Sequence, residues 1–447
     1  MIKMIMIMVT MLYGRPAGTF FRAALALLLI MVSIVCSSGA ASADGAKAAA
    51  GFTGGRALIS ASKAAYRNPA DIEAFFIKNK IPQQYLNPAL NSSGEAKIMA
   101  ATRTGLAVPH GVVYYRLDYT IPSGTGAGIV SSGILALPAG AWRRGEIKLV
   151  SYQHGTLFED RNAPSKLDSC LEAQAVACVF ASRGFAVAMA DYRGLGRYSG
   201  FHPYFHAESI AIDCDAFLKA ASEFMAALGL HPSGGKVYIA GFSQGGHAAL
   251  ALQRRLETPG TSACGLGPAA NAVIAGACDP YLLLRSWTIK PNRLSGAVAG
   301  RIIASYGRVY SMDRAGDESP FKPPYTAMMK DIADNGFTVD KITMLPASPG
   351  ALFSDKFLAA VSDPGDGYAK VLISNEVYRE WRPAAPVNFY HGGADNIVPP
   401  IFSKIACRRM KMNGADARFI PAGESLDHAG SIIPSCAAAA DWFNIIF

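Results

Sequence analysis

The residues whose types and spacing could do chemistry centre on Gly241-Phe242-Ser243-Gln244-Gly245, the one Gly-x-Ser-x-Gly of the chain. Chance produces this pattern often, so its weight comes from context. Residues 236–240 read as a buried strand running into it, and residues 247–256 as a helix leaving it. A serine on such a strand–turn–helix is forced into a strained backbone conformation, and glycine on both sides lets strand and helix approach. Its hydroxyl then stands over a helix N-terminus, whose free N–H groups favour developing negative charge. Ser243 is the candidate nucleophile.

A serine hydroxyl attacks well only if a base takes its proton, and the base must be held in one tautomer by an acceptor. On this kind of turn the partners follow in the order Ser, Asp or Glu, His. Beyond the helix that leaves the turn, which itself carries His247, lie two histidines, His391 and His428. His428 follows the last strand pattern, where the base belongs; His391 ends the strand before it and is read as shaping its loop. Asp395, in His391-Gly392-Gly393-Ala394-Asp395, is the expected acid. Its rivals are Asp279, at the end of the preceding strand, and Asp427, whose adjacency to His428 points it away.

The backbone N–H of Gln244 and that of Thr156 are the expected oxyanion donors. Thr156 lies in Gln153-His154-Gly155-Thr156, which ends another strand pattern. His154 is read as packing that loop rather than as a second base. No Cys pair has zinc-finger spacing and no His-Glu-x-x-His occurs, so neither metal nor cofactor is expected.

These residues need an α/β scaffold to meet. Alternating runs at 114–122 and 128–138 predict two early strands. Runs at 147–153, 185–190, 236–240, 272–276 and 387–390 predict buried strands, with a last one at 418–421. Helical patterns at 165–183, 206–228 and 247–256 lie between them. The pattern predicts an antiparallel start feeding a mostly parallel sheet with helices on both faces.

Residues 44–113 are expected to form an N-terminal arm with some helix, and residues 114–279 the first part of the core. Residues 280–386 far exceed a usual crossover and hold helical patterns at 297–306, 325–334 and 355–361, which predicts an inserted cap. Residues 387–447 complete the core.

The composition fits that scaffold. The chain has 447 residues, of which 51% are hydrophobic and 17% charged, which excludes a disordered chain. Its net charge of +9 is spread without a Lys/Arg stripe, which argues against nucleic acid. Part of the charge is an address. Residues 1–43 hold Lys3, Arg15 and Arg22 and no acid, then a short apolar run, then Ala41-Ser42-Ala43. That is the order of a secretory signal, and the apolar run is too short to span a membrane, although an uncleaved anchor is the competing reading.

Cleavage near Ala43 would release a secreted or periplasmic chain of charge +6 with seven cysteines, an oxidising context in which Cys407–Cys436 is the favoured disulfide.

The segments Ser151-Tyr152-Gln153-His154-Gly155-Thr156, Asp191-Tyr192-Arg193-Gly194-Leu195-Gly196, Gly241-Phe242-Ser243-Gln244-Gly245-Gly246 and His391-Gly392-Gly393-Ala394-Asp395-Asn396-Ile397-Val398-Pro399 resemble, in order, motifs of the secretory lipase family of α/β-hydrolases. The resemblance runs from about residue 110 to the end. It implies an α/β-hydrolase fold with a helical lid before the acid-bearing strand, and a secreted lipase or carboxylesterase acting on an ester or lipid substrate. The cap is the part such an enzyme would bring to a lipid interface. Apolar residues at the start of the cap, Tyr281 to Leu284 and Trp287, would either line an acyl site or pack cap against core. The competing functions are a secreted peptidase on the same fold and a non-catalytic cell-surface binding protein.

Overall fold

The computed structural model describes residues 57–79, 111–122, 128–141, 145–198, 200–312, 319–336 and 338–446. The proposed signal segment, 1–43, lies outside them. Nine strands form one sheet: β1 (Leu58–Arg67), β2 (Val112–Ile121), β3 (Ile129–Pro138), β4 (Glu146–Gln153), β5 (Ala186–Ala190), β6 (His231–Phe242), β7 (Gly267–Ile274), β8 (Val387–Gly392) and β9 (Ala417–Gly423). Their order is β1-β2-β3-β5-β4-β6-β7-β8-β9. The pairs β1/β2, β2/β3 and β3/β5 are antiparallel, and every pair from β5/β4 to β8/β9 is parallel. Strands β5 and β8 are buried along their whole length, as expected where helices cover both faces.

The helices are α1 (Pro69–Lys78), α2 (Leu171–Ala181), α3 (Ala207–Ala227), α4 (Gln244–Glu257), α5 (Pro280–Ile289), α6 (Ser295–Val309), α7 (Tyr325–Asn335), α8 (Val339–Thr343), α9 (Pro349–Leu352), α10 (Asp355–Ala360), α11 (Gly367–Ser374), α12 (Ile401–Met412) and α13 (Ile432–Ile445). One apolar layer packs α3, α4 and α12 on the sheet, and a second packs α1, α2 and α13. A third cluster holds α5 to α11, between β7 and β8, against residues 204–205 and 397–402. Tyr281, Leu283, Leu284 and Trp287 lie in this third cluster, and the Trp287 indole donates to Ile397 O at 3.1 Å, so they pack the insertion on the acid loop.

Several elements differ from expectation. The region read as an arm contributes an edge strand, β1, whose small and charged residues hide its pairing with β2. Strand β6 starts at His231, because its exposed first half carries Gly234 and Gly235 at positive φ and looks like a turn in sequence. Helix α2 starts at Leu171 rather than near 165: Cys170, at ψ 86°, breaks the helical path.

The expected Cys407–Cys436 disulfide is absent; both thiols are free. Cys407 on α12 is buried in the first layer and Cys436 on α13 in the second, so the sheet separates them. A disulfide needs Cβ atoms about 4 Å apart, which two opposite layers do not permit. Among the described residues no helix is long and apolar enough to cross a membrane.

Ser165, before α2, is held instead by Asp191, just after β5. Its Oδ1 accepts from Ser165 N at 2.8 Å and its Oδ2 from Ser132 Oγ. Burial pushes the Asp191 carboxyl from 3.8 up to about 7 despite these bonds. A carboxyl raised by folding contributes stability below its unfolded pKa, and that contribution is lost as pH rises through the folded value. Asp191→Asn, which does not titrate, should therefore lie furthest below the native chain in stability near pH 4 and close that gap as pH rises to about 7. Denaturant titrations across this range check it; a gap that stays constant would refute the assignment.

Candidate active site

Strand β6 ends at Phe242 and helix α4 begins at Gln244, leaving Ser243 alone in the turn at φ 57°, ψ −115°. Such a conformation costs a β-carbon residue about 1–3 kcal/mol, so surrounding bonds must impose it. Ser243 N donates to Ile274 O at 2.9 Å, and Ser243 O accepts from Gly246 N at 2.9 Å and Ala277 N at 3.0 Å. The glycines are required by contact. A Cβ on Gly241 would lie 2.1 Å from Gly245 O, and one on Gly245 would lie 1.9 Å from Gln153 O. Both obstacles are backbone, so Gly245→Ala must displace the turn or β4. We expect a loss of about 3 kcal/mol or more, read as a lowered denaturation midpoint, and loss of any activity of Ser243.

Ser243 Oγ lies 2.9 Å from His428 Nε2, and His428 Nδ1 lies 2.6 Å from Asp395 Oδ2. Three residues spread over the chain are thus joined in one line of hydrogen bonds. His428 stands in the loop after β9, its ring 4.7 Å from that of Phe242, and its carbonyl accepts from Ser431 Oγ at 2.8 Å. The loops bearing Asp395 and His428 touch through backbone: Gly393 N donates to Gly423 O at 2.9 Å and Ala394 N to Leu426 O at 3.0 Å. A Cβ on Gly392 would lie 2.3 Å from Leu426 O, which explains the glycine there.

Asp395 is 5% exposed, yet fully engaged. Its Oδ1 accepts from the N–H groups of Ile397 and Val398, each at 2.9 Å. Its Oδ2 accepts from His428 and also faces His391 Nε2 at 3.0 Å. Burial works against the charge, but the bonds from His391 and His428 outweigh it and hold the carboxyl at about 2.

His391 does more than shape a loop. Its Nε2 faces two oxygens, Asp395 Oδ2 and Val398 O at 2.8 Å, so the hydrogen-bond network assigns the proton to that nitrogen; Nδ1 accepts from Ser403 Oγ at 2.7 Å. Sequence reasoning missed this contact with the acid. The four-residue spacing from His391 to Asp395 around a tight turn is the only sign of it.

The rival acids are engaged elsewhere. Asp279 caps α5 through Leu282 N at 2.8 Å and accepts from Tyr378 Oη at 2.6 Å, with Arg379 at 3.7 Å. Asp427 accepts from Gly430 N at 2.8 Å. His154 is 1% exposed, stacks on Tyr192 at 4.1 Å and is held by burial at about 4, a neutral packing residue.

Thr156 lies just past Gly155, whose N–H donates to Glu172 Oε1 at 3.0 Å; Gln244 opens α4. Among the described residues neither the Thr156 nor the Gln244 N–H has an acceptor within the chain. Among the same residues no group of three His, Cys, Asp or Glu side chains is placed to hold a metal ion.

No protein-family model matches the chain, and no curated protein does. Solved structures do. A Legionella pneumophila protein assigned as a hydrolase is 23% identical, with TM-score 0.72 over 87% of this chain and 98% of that one. LipA, a rice cell wall degrading esterase from Xanthomonas oryzae, is 19% identical with TM-score 0.69 and the same coverage. Candida antarctica lipase A is 16% identical, with TM-score 0.56 over 84% of this chain and 78% of that one. Likeness at such identities establishes architecture and nothing finer. The chain has the α/β-hydrolase fold, in common with these esterase and lipase structures.

Proposed function

We propose that this chain is a serine hydrolase that cleaves carboxylic esters by two-step acyl transfer, with Ser243, His428 and Asp395 as its catalytic triad. The observation that carries the reading is the unbroken line from Ser243 Oγ to His428 (2.9 Å) to Asp395 (2.6 Å) on a strained turn. The esterase and lipase among its structural relatives support an ester as the bond attacked.

Ser243 Oγ adds to the ester carbonyl carbon as His428 Nε2 takes the hydroxyl proton. Asp395 keeps the Nδ1 proton in place and stabilises the imidazolium that forms. The N–H groups of Thr156 and Gln244 are the donors for the oxyanion, each worth about 3–4 kcal/mol to the transition state. The C–O bond to the alcohol breaks, and His428 delivers its proton to the departing oxygen. A water then attacks the acyl-enzyme, giving its proton to His428; collapse frees the acid and returns the proton to Ser243.

The line needs no metal or redox group, since each step moves only a proton and an acyl group. Residues 1–43 are proposed as a cleaved secretory signal, which N-terminal sequencing of the exported chain checks.

The test is hydrolysis of p-nitrophenyl esters of increasing acyl length beside dipeptide anilides. Ester turnover supports the proposal. Anilide cleavage with inert esters would replace it with a peptidase. Preference for long chains with activation at an oil–water interface would make the enzyme a lipase, and preference for short chains a carboxylesterase.

A further inference from the structure

We propose that Arg301 and Tyr204 are positioning residues for the oxyanion loop, so that the oxyanion site is complete only while helix α6 of the inserted segment is seated on the core. The inference rests on the reading of Ser243 and Thr156 given above.

Arg301, on α6, is 8% exposed. Its guanidinium donates to Leu157 O at 2.7 Å and lies over the Tyr204 ring at 4.4 Å. Tyr204 Oη is 2.6 Å from Thr156 Oγ1. The insertion therefore holds the loop twice, at the carbonyl just after Thr156 and, through Tyr204, at the Thr156 side chain. Further along α6, Tyr306 Oη donates to Phe205 O at 2.9 Å, which fixes the neighbouring segment to the same helix.

The core side of the loop is anchored independently, by Glu172 on Gly155 N and by the buried His154 ring. Thr156 itself depends on the α6 side. On the residue of the second donor, the Gln244 side-chain Nε2 lies 3.3 Å from His202 Nε2, and the His202 ring is 6.0 Å from that of Tyr204.

Two physical facts make this arrangement consequential. Oxyanion donors act only when placed within hydrogen-bond reach of the oxygen as charge develops, and small misplacements cost rate steeply. A buried guanidinium is tolerated only where its N–H groups meet acceptors, so Arg301 in this position resists drift. Lifting α6 away would remove both the Leu157 and the Tyr204 contacts together. The insertion is thereby coupled to the chemistry.

The test compares Tyr204→Phe, Arg301→Lys, Thr156→Val and the Thr156→Val/Tyr204→Phe double variant, measuring kcat, KM, thermal midpoint and the rate at which a fluorophosphonate labels Ser243. Tyr204→Phe keeps the ring and removes only the hydroxyl, so it carries the test if Arg301→Lys folds poorly. We expect Tyr204→Phe and Arg301→Lys to lower kcat about tenfold with KM within about twofold, and to slow labelling by the same factor.

The pH profile should keep its shape, because His428 and Asp395 are untouched. Tyr204→Phe should add nothing once Thr156 is Val. Native kcat and labelling rates in the variants would overturn the proposal, and so would independent, additive losses in the double variant. A native enzyme that fluorophosphonate fails to label at Ser243 fails a different premise, the serine reading itself, and removes this proposal with it.

Discussion

Ser243→Ala should abolish ester hydrolysis, lowering kcat by about 10⁶-fold while leaving the fold intact. In the proposed mechanism the hydroxyl removed is the atom that would form the acyl-enzyme, and nothing else on the turn can replace it. Among the described residues the Ser243 side chain makes one hydrogen bond, to His428, so stability should change by about 1 kcal/mol or less. Because the triad acts as a unit, His428→Ala should cost about as much, and the double variant no more than either. Residual turnover above water from the Thr156 and Gln244 donors is expected to remain, on the order of 10³-fold. Steady-state kinetics of the three variants with a thermal scan of each decide the matter. Turnover in Ser243→Ala within a hundredfold of native would place the nucleophile elsewhere.

Asp395→Asn carries the second large effect, an expected loss of about 10⁴-fold in kcat. The native carboxylate accepts from two imidazoles at one oxygen and from two backbone N–H groups at the other. An amide offers a single acceptor oxygen, so it must abandon one set. If its oxygen stays with Ile397 and Val398, its NH₂ faces His428 Nδ1 and demands the other tautomer, which puts the proton on Nε2. A ring protonated there cannot accept from Ser243.

Asp279→Asn is the control. Asp279 caps α5 and binds Tyr378, so its loss should lower thermal stability and leave kcat within about threefold. The opposite pair of results would transfer the acid role to Asp279.

Much of this site was legible in the chain because its geometry is local. Glycines 241 and 245 are demanded by backbone contacts within one turn, and the buried strand and helix around Ser243 follow from hydrophobic pattern. Strand and helix order then placed Asp395 and His428 by elimination. The parallel sheet was legible for the same reason: strands buried on both faces leave continuous apolar runs, as in β5 and β8.

What escaped the sequence depends on which surfaces meet. Strand β1 exists because it pairs with the edge of β2, and its own alternation is faint. Cys407 and Cys436 are close in sequence, but β9 runs between their helices, and α12 and α13 go to opposite faces of the sheet. His391 shows in sequence as a loop residue; only folding turns its ring onto the carboxylate that it shares with His428.

The chain alone therefore determined the strained turn at Ser243, the order in which Asp395 and His428 follow it and the α/β class, since each is encoded by residues near one another or by periodicity. Tertiary structure alone decided the second histidine on the acid, the separation of the cysteines, and the grip of Arg301 on the loop beside Thr156. The Arg301 contact joins segments far apart in sequence, and even the four-residue step from His391 to Asp395 meets only once the turn between them is folded, so no local pattern fixes which side chains the closed sheet and its inserted helices bring together.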